Sequence, residues 1–80
     1  MPPMASFKRL DVRPMLLRGE EPLPEILARA QALSPGDGLI IIAPFIPSPL
    51  IDLLAGEGFQ VKLERGDAGS WIVYLWREQG

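Results

Sequence analysis

Leu39-Ile40-Ile41-Ile42-Ala43 is an unbroken apolar run. A strand with one face in water alternates apolar and polar residues; a run without alternation reads as a strand central in a sheet or covered on both faces. Ser34-Pro35-Gly36-Asp37-Gly38 precedes it as a dense turn signal, and Pro44, Pro47 and Pro49 punctuate its exit. Beyond them, Ser48 suits an N-cap and Pro49 a first helical residue, where no N–H acceptor is needed. Leu50, Ile51, Leu53 and Leu54 make a short, very apolar helix, stopped by Gly56 and Gly58. Phe59, Val61 and Leu63 alternate with Gln60, Lys62 and Glu64, which predicts a half-buried strand. Arg65-Gly66-Asp67-Ala68-Gly69 is a hairpin-like loop leading to a last strand, Trp71 to Trp76.

The region before the central run supplies one more strand and one more helix. In Phe7 to Val12, Leu10 and Val12 share one face and Arg9 and Asp11 the other, until Pro14 ends the strand. Met15 to Gly19 reads as a connector. Glu20-Glu21-Pro22-Leu23-Pro24 opens a helix: prolines fit the first turn and carboxylates suit its positive end. Leu23, Ile26, Leu27, Ala30 and Leu33 recur at spacings of three and four and form its apolar face. The order βαβαββ predicts an α+β fold, a two-layer sandwich with a four-stranded mixed sheet and two helices on one face. All of 1–80 is expected to form a single domain, with residues 1–6 a flexible lead-in.

Composition narrows the chemistry. The chain has 80 residues, is 48% hydrophobic, and contains no Cys and no His. Thiolate nucleophiles, imidazole bases and Cys or His metal sites are therefore excluded, and no catalytic residue, metal or cofactor is expected. A serine nucleophile at Ser6, Ser34, Ser48 or Ser70 would need Lys8 or Lys62 as its base, and neither lies in a recognisable motif. The net charge is −2, and the basic residues are scattered among acids, which argues against a nucleic-acid partner. No apolar run is long enough to span a bilayer and no secretory signal is present, so the expected location is cytoplasmic.

Two regions stand out as candidate sites. Arg13, Glu21, Pro22, Pro24, Phe45 and Pro47 gather where the first two strands end. Ligands of sheets with parallel strands bind beyond such carboxyl ends. The last strand carries Trp71, Val73 and Leu75 on one side and Ile72, Tyr74 and Trp76 on the other. One helical layer covers one side only, so an exposed apolar sheet face is expected as an interface to a protein partner or a second copy.

Several short segments also resemble a known family. Leu10-Asp11-Val12-Arg13, Glu21-Pro22-Leu23-Pro24, Gly36-Asp37-Gly38-Leu39, Pro47-Ser48-Pro49-Leu50 and Gly58-Phe59 follow one another as in the TusA-like (SirA-like) sulfur carriers. The chain is most similar to a bacterial branch of unknown function that often lacks the carrier cysteine. The resemblance, over about Phe7 to Arg77, implies the same βαβαββ sandwich. The carriers hold sulfur on a Cys-Pro-x-Pro motif. Pro22 and Pro24 match its prolines, but Glu21 stands at the cysteine, and a carboxylate cannot hold a sulfane sulfur. The branch's His-Asp-Pro element is matched only at Pro47, after Phe45 and Ile46. The resemblance therefore implies the scaffold, as an interaction module or a thiol-free ligand-binding or sulfur-pathway accessory.

Overall fold

The computed structural model of the protein describes residues 1–45 and 48–78. Its strands are β1 (Phe7–Asp11), β2 (Gly38–Ala43), β3 (Gln60–Arg65) and β4 (Trp71–Trp76); its α-helices are α1 (Arg13–Leu17), α2 (Leu23–Gln31) and α3 (Ser48–Gly56). The strands form one four-stranded sheet in the order β1-β2-β4-β3. β1 and β2 are parallel, whereas β4 runs antiparallel to both β2 and β3. This is the mixed α+β architecture that the sequence predicts.

The register explains why β2 does not alternate. Leu10 pairs with Ile41, Ile41 with Val73, Leu39 with Leu75, and Val61 with Leu75. These side chains share one face and pack with the helices into the core. Ile40 and Ile42 project from the other face, where Ile42 is only 4% exposed. β2 is thus central in the sheet and shielded on both faces.

Helix α2 starts after Pro22 with Pro24 in its first turn, and Leu23, Ile26, Leu27, Ala30 and Leu33 all join the core, as their spacing predicts. Helix α3 buries Leu50 and Leu54. Its end is a Schellman turn. The Phe59 N–H donates to the Leu54 carbonyl and the Gly58 N–H to that of Ala55, each at 3.1 Å. Gly58 adopts a φ of 93°, which a side chain would strain. Phe59 and Leu54 then both enter the core, the apolar contact that accompanies this turn.

Two local features depart from the sequence reading, and a third adds to it. Part of the connector after Pro14 is helical: Arg13–Leu17 form α1. Pro14 sits in its first turn, where it costs no hydrogen bond, and the Asp11 carboxylate accepts the Arg13 N–H at 3.0 Å. Strand β3 is less buried than its alternation suggests, with Leu63 39% exposed. It is an outer strand, and within it only Val61 packs against the core. The lead-in contains a 3-10 turn, Met4–Ser6, closed by a Ser6 N–H bond to the Pro3 carbonyl at 2.9 Å.

Candidate functional site

The helix-free sheet face does not offer the open apolar surface expected of it. Val73 and Leu75 are fully buried against the helices and cannot serve as interface residues. Trp71 is on their side, half-buried, with the Arg65 guanidinium 5.0 Å from its ring centroid. Ile72, Tyr74 and Trp76 are on the helix-free face, yet Tyr74 and Trp76 are each only 9% exposed in the isolated chain. The reason is mutual cover by large rings. Phe7 meets Tyr74 edge-on at 5.8 Å and Trp76 at 6.4 Å between centroids. Phe7 reaches this position across Gly38, where a Cβ would overlap its ring. Gly38→Ala is expected to displace Phe7, costing about 1–2 kcal/mol and red-shifting tryptophan emission. Unchanged emission and stability would contradict the packing.

Polar groups finish this face. The Tyr74 hydroxyl donates to a Glu64 carboxylate oxygen at 3.1 Å, and Lys62 pairs with the same carboxylate at 3.1 Å. Lys62 and, secondarily, Tyr74 hold the Glu64 carboxyl below its ordinary range. Burial, then the bond to Glu64, raises the Tyr74 phenol above 10.0. A phenol raised by folding favours the folded state below its unfolded value, and that advantage is lost as pH rises through the folded one. The chain has one tyrosine. Its absorbance titration should therefore have a midpoint above 10.0 that moves down in Glu64→Gln; a midpoint indifferent to Glu64 would refute the bond.

The carboxyl ends of β1 and β2 do form a cavity, of about 510 Å³. Val12, Ile41 and Ala43, from the strand side, contribute to its lining. Leu16 from α1, Leu23 and Ile26 from α2, and Leu50 and Leu53 from α3 supply apolar lining from the helices. Phe45, 54% exposed, and Leu53, 40% exposed, extend this apolar lining to the surface. Pro49 of α3 and, ahead of α2, Glu21 and Pro22 complete it, and Glu21 is the single charged residue among the described residues of the lining.

Of the predicted edge residues, the structure brings Glu21, Pro22 and Phe45 to the cavity. Arg13 and Pro24 are not in its lining, and Pro47 lies outside the described residues. Arg13 is turned to Asp11 instead, with bonds of 2.9 Å and 2.7 Å from Nε and Nη2. Leu23, Ile26, Leu50 and Leu53 read as apolar helix residues in the sequence and Leu16 as part of a connector; only the helical conformation of α1 could have shown that a third helix leaves space between them.

Charges before and along α2 are paired off. Arg18 binds Glu20 at 2.6 Å, and Arg29 binds Glu25 at 2.9 Å across one helical turn. The guanidinium partners hold the Asp11 and Glu20 carboxyls below their ordinary range. All these groups are largely solvated, so the pairs contribute little to stability. Among the described residues, Glu21 makes no ion pair, and no group of three or more acidic side chains converges on a metal position.

Residues 9–77 match the model of an uncharacterised conserved protein family, DUF2249. The chain belongs to the DUF2249 family. The match contains every described residue of the cavity lining, from Val12 to Leu53. No curated protein and no solved structure matches this DUF2249 chain. Among its described residues, no helix is long and apolar enough to cross a membrane.

Proposed function

We propose that this DUF2249 chain is a binding module that takes a small, mainly apolar molecule into the cavity between β1, β2 and the three helices. The observation that carries the reading is a cavity of about 510 Å³ whose walls are mainly apolar, with Glu21 the one charged residue among the described residues of its lining. That volume lies within the roughly 300–1,000 Å³ typical of small-molecule sites. Its position, beyond the carboxyl ends of parallel strands, is the one favoured for ligands in such sheets. Docking through the helix-free face is the weaker reading, because Tyr74 and Trp76 are already covered within one chain.

The scaffold itself we assign by proposal to the TusA-like group. The element order and the prolines Pro22 and Pro24 at the start of α2 support this. The carrier's thiol position would then be Glu21, beside the cavity, so the site would bind without sulfur transfer. A cytoplasmic location belongs to the same proposal, and the cysteine-free composition is compatible with it.

The test is titration with the neutral dye N-phenylnaphthylamine, whose emission rises in apolar surroundings. Saturable binding that a charged rim substitution, Leu53→Arg, weakens is the expected result. Leu53 is 40% exposed, so the variant should fold. No saturable binding, or binding untouched by Leu53→Arg, would remove the proposal.

A further inference from the structure

We infer that the cavity selects ligands carrying a cationic head, a small alkyl or arylalkyl ammonium ion, with Glu21 as the head-group partner; this rests on the ligand-binding reading above. Three observations converge on Glu21. Among the described residues it is the single charged one lining a cavity that is otherwise apolar. The arginines closest to it in sequence are engaged elsewhere, Arg18 on Glu20 at 2.6 Å and Arg13 on Asp11 at 2.7 Å. No ion pair to Glu21 is present among the described residues, so no internal cation compensates its charge at the cavity. The opening of α2 does not reverse this polarity. Pro22 and Pro24 lack N–H groups, so this helix start is poor in the donors that would hold an anionic head.

A ligand suited to this arrangement puts its carbon body among Leu16, Leu23, Ile26 and Leu50 and its ammonium against Glu21. Glu21 is solvent-exposed, so the charge effect is that of a partly screened pair. Attraction of an ammonium and repulsion of a carboxylate act together in one comparison, which makes a head-group series the sensitive test.

Three probes share one body: n-octylammonium, n-octanol and n-octanoate, each below its aggregation concentration. Binding is read by calorimetry on the full chain and on Glu21→Gln. Glu21 is exposed and unpaired, and its substitution leaves the core intact. The expected result is octylammonium bound about tenfold more tightly than octanoate at low salt, with octanol between them. In Glu21→Gln the difference between octylammonium and octanoate collapses. Octanol binding with no preference for octylammonium, or a preference that survives Glu21→Gln, would overturn the head-group assignment and leave the cavity reading standing. Failure of all three probes would overturn the cavity reading itself.

Discussion

Leu54→Ala is expected to lower the folding free energy by about 3 kcal/mol, the usual cost of a buried leucine truncated to alanine. Leu54 has no exposed surface and belongs to the core cluster of both layers. Its carbonyl also accepts the bond that closes α3, and its side chain and that of Phe59 both lie in the core at that end. A chain of this length has roughly 4–12 kcal/mol of stability in total, so the variant should lose a large share of it. Urea unfolding followed by tryptophan emission measures this. A loss below about 1 kcal/mol would mean that α3 is not held on the sheet as described.

Ala43→Leu should have the opposite effect on stability and a large effect on binding. Ala43 is 3% exposed and contributes to the cavity lining. The added carbons would occupy space that the ligand needs and bury apolar surface there. Cavity filling of this kind adds about 1 kcal/mol of stability. Dye affinity should fall at least about tenfold, a loss of ~1.4 kcal/mol. A variant that is less stable and binds as before would show that Ala43 does not face an open cavity. The two substitutions are complementary: one tests the packed core and the other the space left beside it.

The fold was largely legible because each element carries its own physical signature. The apolar run Leu39–Ala43 could belong only to a shielded strand, and β2 is central with both faces covered. The three-and-four spacing from Leu23 to Leu33 gave the face that α2 buries. What escaped was tertiary in origin. Helix α1 has one turn, and its formation leans on Asp11 taking the Arg13 N–H, a contact that no periodicity reveals. The cavity was legible in place but not in composition. Glu21, Pro22 and Phe45 stood out as unusual residues at a strand end, whereas Leu50 and Leu53 look like any core leucines, and Leu16 like a connector residue, until a gap between helices is seen. The cover on the helix-free face was hidden because it depends on Phe7, far away in sequence, lying over Gly38 against Tyr74 and Trp76.

Methyl-detected NMR of the isotope-labelled chain during titration with n-octanol separates the two faces in one experiment. The account predicts shifts and intermolecular cross-relaxation at Ile26, Leu16 and Leu50, with Ile40 and Ile72 on the helix-free face unmoved. Shifts confined to Ile40 and Ile72, with Ile26 and Leu50 silent, would contradict it.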